Sequence, residues 1–158
     1  MTNIEIEMEN GGIIKAELYP DIAPITVENF VKLIKDNFFD GLIFHRVISG
    51  FMIQGGGYDA EGNSKQAESI VGEFSANGHK NDLKHTRGIL SMARTMFPNS
   101  ASSQFFIMHK DAPHLDGQYA AFGKVTDGMD IVDDIATCET NFNDEPINKQ
   151  IIKTIRLA

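Results

Sequence analysis

The sequence contains no tryptophan and only one cysteine, and these scarcities limit what the protein can be. Cys138 has no partner in the chain, so no internal disulfide can form. No apolar run approaches the roughly 18 residues of a membrane-spanning helix, and the first ten residues lack the basic and apolar regions of a signal peptide. Together these features predict a protein of the reducing cytoplasm with no membrane partner.

Positive charge is also scarce, since 14 Lys and Arg face 22 Asp and Glu and give a formal net charge of −8. Nucleic acids and anionic membrane surfaces are bound mainly through basic patches. The composition therefore predicts neither as the main partner. The acidic excess is typical of a protein whose charge keeps it soluble.

Several common catalytic signatures are missing. The sequence has no G-x-S-x-G elbow, no H-E-x-x-H pair, no P-loop and no C-x-x-C. The run Gly55–Gly57 lacks the third glycine of a dinucleotide fingerprint, because Ala60 stands there, and it is typical of a tight turn beside a close backbone approach. No histidine lies at metal-ligand spacing from a Cys or Glu; the five are His45, His79, His85, His109 and His114. We therefore predict neither a metal site nor a cofactor.

What the sequence does contain is a single domain, residues 1–158, built from short alternating segments. Apolar residues alternate with polar ones on both sides of the turn Glu9–Gly12, which predicts a hairpin. Periodicity predicts helices over Pro24–Lys35 and Met129–Thr137. Six further strands are predicted at Leu42–Val47, Phe51–Gln54, Ile89–Ala93, Phe105–Met108, Ala120–Val125 and Gln150–Leu157.

The polar, glycine-rich stretch from Gly55 to Asp82 reads as one long loop, and a loop of this length in a compact domain is usually functional or wrapped on the surface. Many short strands and two helices favour a mainly β fold. We expect an antiparallel barrel whose open ends are covered by the helices.

The segment Phe44–Gly56 places an arginine and a glutamine among Phe, Val, Ile and Met. Because side chains alternate along a strand, Phe44 and Arg46 are expected to share one face of the first strand. By the same rule, Met52 and Gln54 are expected to share a face of the next strand. A charged group among apolar side chains needs a partner, because burying it alone is costly. Two interpretations remain: Arg46 forms an ion pair in the core, or it stays free to meet an acceptor on a ligand.

A second cluster, Ser103–Ile107, places two phenylalanines side by side. On a strand, Phe105 and Phe106 point to opposite faces. One is expected to enter the core, and the other can line a groove. Alone, this segment would be interpreted as an ordinary core strand.

Five longer sequence motifs, taken together, resemble those of a known protein family. They are FHRVISGFMIQGG (44–56), LKHTRGILSMAR (83–94), SSQFFI (102–107), LDGQYAAFGKV (115–125) and DGMDIVDDI (127–135). In this order they closely resemble the cyclophilin family of peptidyl-prolyl cis-trans isomerases, in its compact, bacterial-type, single-domain form. The resemblance covers essentially the whole chain.

The resemblance implies a closed eight-stranded antiparallel β-barrel capped by two α-helices, with a shallow groove for an X-Pro peptide. It implies three catalytic residues: Arg46, Gln54, which orients the arginine, and Phe51. It also implies substrate-binding positions at His45, Met52, Ala93, Arg94, Thr95, Gln104, Phe106, His114, Leu115 and Tyr119. Of the apolar residues, Phe51, Met52, Phe106 and Leu115 match the pocket for the proline ring.

The chain departs from many relatives at Arg94, where they have asparagine, at His114, where they have tryptophan, and at Tyr119, where they have histidine. The segment Thr95–Ala101 also looks one residue longer. The missing tryptophan implies weak binding of cyclosporin, a cyclic peptide that inhibits many cyclophilins. The implied partners are proline-containing peptides and unfolded or flexible protein segments, bound by a monomer. The alternative is a proline-peptide binding module or chaperone with little turnover.

Overall fold

A computed structural model describes all residues from 1 to 158. Its two α-helices are α1 (Pro24–Lys35) and α2 (Met129–Ala136), and short 3₁₀ turns occupy Ser75–Asn77 and Pro113–Leu115. The eight strands are β1 (Thr2–Met8), β2 (Ile13–Leu18), β3 (Leu42–Ile48), β4 (Met52–Asp59), β5 (Ile89–Met92), β6 (Phe105–Met108), β7 (Ala121–Asp127) and β8 (Ile152–Leu157). No helix is both long enough and apolar enough to cross a membrane.

The strands form one antiparallel sheet in the order β3-β4-β6-β5-β7-β2-β1-β8. The two ends of this sheet meet, because Ile43 forms a bridge with Ile151 next to β8. The Phe44 N–H also donates to the Gln150 carbonyl at 3.0 Å. The sheet is therefore the eight-stranded antiparallel barrel with two helices that the resemblance implied.

The barrel interior holds the main core, with Phe30 of α1 among its largest buried side chains. The Phe30 ring contacts those of Phe39, Phe105 and Phe122, at centroid distances of 4.9, 5.2 and 5.1 Å. A second, smaller apolar cluster that includes Met52 lies apart from this core. Strands β5 and β6 are consequently buried on both faces, and this second cluster supports the functional site.

Strand β4 is longer than predicted, since it runs through the glycines to Asp59. Glycines supply no side chains for an alternating pattern, so the expected loop began too early. The structure nevertheless shows the close approach expected there: a Cβ on Gly55 would lie 2.6 Å from the Ile43 carbonyl oxygen. Glycine at this position allows β3 and β4 to pair.

The first turn of α1 contains no acidic residue of its own, and a distant carboxylate takes that place. Glu73 is 4% exposed and accepts hydrogen bonds from the Thr26 backbone N–H at 2.6 Å and the Thr26 hydroxyl at 2.7 Å. A negative charge at a helix N-terminus satisfies a free N–H and interacts favourably with the helix dipole. Glu73 thereby fixes the long loop to α1.

We expect Glu73→Ala to lower the free energy of unfolding by about 2–3 kcal/mol, since two buried donors lose a charged acceptor. Glu73→Gln keeps an acceptor and is expected to cost about 1 kcal/mol. Urea titrations measure both. The exposed Glu68 provides the matched control, and Glu68→Ala is expected to stay within about 0.5 kcal/mol. A Glu73→Ala effect no larger than the control would contradict this assignment.

Candidate functional site

An open groove of about 150 Å³ lies on the outside of the barrel, over the second apolar cluster. It brings together nine of the side chains singled out from the sequence: Arg46, Phe51, Met52, Gln54, Ala93, Arg94, Phe106, Leu115 and Tyr119. They come from β3, the turn between β3 and β4, β4, β6, the segment that follows β5, and the second 3₁₀ turn with the residues after it. Residues distant in sequence thus converge on one surface.

A β-bulge in β3 sets the direction of Arg46. Phe44 pairs with Gly55 and Arg46 with Gln54, so two steps along β3 correspond to one step along β4. The extra residue reverses the alternation of side chains. Phe44 is buried in the barrel core while Arg46 is exposed at the groove. The prediction that the two side chains share a face was wrong for this reason.

Arg46 has no acidic partner: no carboxylate lies within ion-pair distance, which contradicts the core ion-pair interpretation. Its Nη1 donates to Gln54 Oε1 at 3.2 Å. Gln54 Nε2 donates in turn to Gln104 Oε1 at 2.9 Å. Gly57 makes room for this arrangement, because a Cβ there would lie 2.5 Å from Gln104 Nε2. The guanidinium is held in place, with its charge available to a ligand.

The floor of the groove is apolar. Met52, Phe106 and Leu115 are 2%, 5% and 7% exposed, and Phe51 packs beside them. Phe105 belongs to the barrel core and Phe106 to the groove cluster, as the strand alternation predicted. The Tyr119 ring meets Phe106 edge to face at 5.8 Å. The cleft therefore combines a flat apolar surface with one cation at its edge.

A second, polar pocket adjoins the first and shares Gln54, Ala93 and Arg94 with it. Thr95 and Gln104, both singled out from the sequence, lie here. Two further lining residues, Ser100 and Ser102, were not predicted as site residues, although Ser102 belongs to the motif SSQFFI. Serines in a loop carry no pattern that marks them as site residues.

Arg94 is fixed between two aromatic rings. Its guanidinium carbon lies 4.6 Å from the Phe74 ring centroid and 4.7 Å from that of Tyr119. Its Nε and Nη2 donate to the Gln118 carbonyl at 3.1 and 2.7 Å. The contribution of Phe74 could not be found from sequence, because this residue lies in the long loop without any motif.

Two histidines singled out from the sequence do not line the groove. His45 is the extra residue of the bulge; its ring packs 4.7 Å from Tyr58, its Nδ1 has no hydrogen-bond partner, and burial lowers its pKa. His114 is exposed on the second 3₁₀ turn, with its ring centroid 5.9 Å from that of Phe51. The bulge thus turns His45 away, whereas His114 stands at the rim.

His85 lies beneath the groove, and its ring stacks on Phe106 at 6.1 Å. It is 1% exposed, with Nε2 2.9 Å from Ser91 Oγ and Nδ1 3.1 Å from Asp116 Oδ1. Burial lowers the pKa of His85, an effect that the Asp116 carboxylate opposes only in part. The folded protein therefore favours the neutral ring.

This shift makes stability depend on pH. Because the His85 pKa is lower in the folded state, the unfolded chain binds a proton first as the pH falls below about 6.5. We expect the free energy of unfolding, measured by urea titration, to decrease from pH 8 towards pH 5. His85→Gln removes the titrating group and is expected to flatten that slope. An equal or steeper slope in His85→Gln would contradict this explanation.

Comparison with known proteins gives the family. A profile described as cyclophilin type peptidyl-prolyl cis-trans isomerase matches residues 3–157. The chain belongs to the cyclophilin family. A peptidyl-prolyl cis-trans isomerase of Schizosaccharomyces pombe is 42% identical over 99% of this chain and 100% of its own length. One from Acinetobacter baylyi is 46% identical over 89% of this chain and 76% of its own.

Solved structures agree with this membership. A cyclophilin type isomerase of Cryptosporidium parvum, crystallised in the presence of the dipeptide Ala-Pro, superposes with a TM-score of 0.84 at 32% identity. The match covers 99% of this chain and 98% of that one. This cyclophilin is thus an enzyme, a peptidyl-prolyl cis-trans isomerase. No group of three or more His, Cys, Asp or Glu side chains is arranged to hold a metal ion.

Proposed function

We propose that the groove binds an X-Pro segment and catalyses rotation about its peptide bond, with Arg46 as the principal catalytic residue. The observation that carries the assignment is the unpaired, oriented guanidinium of Arg46 at the edge of an apolar floor. An isomerase assay on a short X-Pro peptide, comparing the chain with its Arg46→Ala variant, tests it.

The chemistry explains why these groups suffice. Rotation about an amide has a barrier of about 18–20 kcal/mol, because the C–N bond has partial double-bond character. No bond is made or broken, so the catalyst must stabilise a twisted amide. In that state the proline nitrogen becomes pyramidal and gains a lone pair. A fixed donor near this nitrogen stabilises the twisted state more than the planar one, which accelerates the reaction.

Arg46 is suited to this role, since it remains protonated and presents several donors in a rigid fork. Gln54 orients the fork and is itself held by Gln104. Such supporting hydrogen bonds limit the reorganisation needed when the twisted state forms.

The apolar floor contributes in two ways. Phe51, Met52, Phe106 and Leu115 hold the proline ring and exclude water. Because the planar amide is the more polar form, an apolar site also disfavours it relative to the twisted form. An acceleration of about 10⁵-fold requires about 7 kcal/mol, whereas one preorganised donor supplies roughly 2.7–4 kcal/mol. Positioning and desolvation by the floor therefore supply the remainder.

The proposed substrates are proline-containing peptides and unfolded or flexible protein segments. The Ala-Pro dipeptide named with the Cryptosporidium parvum structure supports a peptide ligand. Ala93, Arg94, Thr95 and Gln104 form a wall along the two adjoining pockets and are assigned to the peptide backbone. The groove is open to solvent, so it can receive a segment of a longer chain. We propose that the protein acts as a monomer in the cytoplasm, a compartment consistent with its single cysteine.

Because the rotation needs neither Lewis acid nor thiol, we expect activity to survive both chelators and alkylation. Cys138 lies just after α2, outside the groove, and burial raises the pKa of its thiol. The assay compares kcat/KM before and after treatment with a chelator and with a thiol-alkylating reagent, and Cys138→Ser serves as the control for alkylation. Activity lost with a chelator and restored by one specific metal would contradict this mechanism.

A further inference from the structure

His109 follows β6 directly and lies outside the groove, yet it forms hydrogen bonds from both sides of its ring. Its Nδ1 lies 2.9 Å from the backbone nitrogen of Gly50, whose N–H it accepts. Its Nε2 lies 3.2 Å from Asp133 Oδ1 on α2. The residue is 6% exposed.

The surroundings fix which ring nitrogen carries the proton. Arg87 holds Asp133 through two contacts of 2.7 Å, and it also donates to the His109 carbonyl at 3.0 Å. This guanidinium keeps the pKa of Asp133 below its ordinary value, so the carboxylate only accepts hydrogen bonds. Nε2 must therefore donate to Asp133, which leaves the Nδ1 lone pair for the Gly50 N–H.

The residues that His109 holds form the turn between β3 and β4. Gly50 has a φ of +80°, and the next residue, Phe51, accepts the His109 backbone N–H at 2.9 Å. His109 thus binds two successive residues of the turn. The side chains of Phe51 and Met52, which follow Gly50 directly, line the groove floor.

We propose that His109 is a positioning residue for the isomerase reaction, acting through the Gly50–Phe51 turn that places Phe51 against the proline ring. This inference rests on the proposed function of the groove. The contact with Asp133 holds the proton on Nε2, so that Nδ1 keeps its lone pair. The hydrogen bond from the Gly50 N–H to Nδ1 is the contact that affects turnover.

Two near-isosteric variants separate these contacts. In His109→Asn the side-chain oxygen replaces Nδ1 as acceptor for Gly50, whereas in His109→Gln the amide reaches towards Asp133 and the acceptor for Gly50 is withdrawn. We expect His109→Asn to keep kcat/KM within about 2-fold, and His109→Gln to lower it about 5- to 10-fold, as befits one lost hydrogen bond in a positioning contact. Hydrogen exchange of the Gly50 amide, followed by NMR, is expected to accelerate only in His109→Gln.

A merely structural role would destabilise both variants in urea while leaving their activities and Gly50 exchange alike, and that result would overturn the proposal. If a His109 variant fails to fold, Asp133→Leu leaves the ring in place and removes the acceptor of its Nε2 proton, so that Nδ1 is no longer kept as the acceptor for the Gly50 N–H. Unchanged kcat/KM and Gly50 exchange in Asp133→Leu would also overturn it. An inactive wild-type protein would contradict the proposed function, and Gly50 exchange would still decide the positioning role.

Discussion

Arg46→Ala is expected to lower kcat/KM for a short X-Pro peptide by about 10²-fold or more, the usual cost of removing one preorganised electrostatic donor. The side chain is exposed and forms no ion pair, so its removal disturbs no packing. The free energy of unfolding is therefore expected to change by no more than about 0.5 kcal/mol.

Arg46→Lys provides the matched control, because it keeps the charge and loses the planar fork. We expect an intermediate activity, since a lysine ammonium is not oriented by Gln54 as the guanidinium is. Circular dichroism and urea titration check that all three proteins are folded. A folded Arg46→Ala protein with near-wild-type kcat/KM would remove Arg46 from the mechanism.

His114→Trp is expected to strengthen inhibition by cyclosporin about 10- to 150-fold. By resemblance, many relatives carry a tryptophan here that contacts this inhibitor and offers it the indole N–H. His114 stands exposed at the rim, 5.9 Å from Phe51, so a larger ring there adds apolar contact. A gain of about 1.5–3 kcal/mol corresponds to this change in the inhibition constant.

The same substitution is expected to change kcat/KM for a short peptide far less, because we assign the proline ring to the floor of the groove, against the buried Met52 and Phe106. His114→Phe separates the two contributions, since it adds an aromatic ring without an N–H. Cyclosporin titrations of the wild-type protein and both variants decide the matter. Equal inhibition constants for wild type and His114→Trp would show that position 114 does not set inhibitor affinity.

Sequence patterns predicted the local elements well where side chains alternate or repeat. The hairpin of β1 and β2 and the full length of α1 follow from apolar periodicity, and the opposite faces of Phe105 and Phe106 follow from strand geometry. The C-terminal half of β4 was not predicted, because three successive glycines provide no such pattern.

The features that could not be predicted depend on contacts between distant segments. The bulge at His45 depends on how β3 pairs with β4, and this pairing decides that Arg46 faces the groove. The clamp on Arg94 needs Phe74 and Tyr119 from two different loops. Single-segment periodicity contains no information on either arrangement, whereas the family resemblance already pointed to nine residues that line the groove.

The most direct test of the central claim is a protease-coupled or NMR exchange measurement of cis-trans interconversion in a short X-Pro peptide with the wild-type protein. Uncatalysed exchange takes roughly tens to hundreds of seconds. The account predicts a rate that rises in proportion to protein concentration and returns to the uncatalysed value when a competing proline peptide fills the groove. A peptide that binds the groove while its exchange rate stays at the uncatalysed value would contradict it and would indicate a binding module.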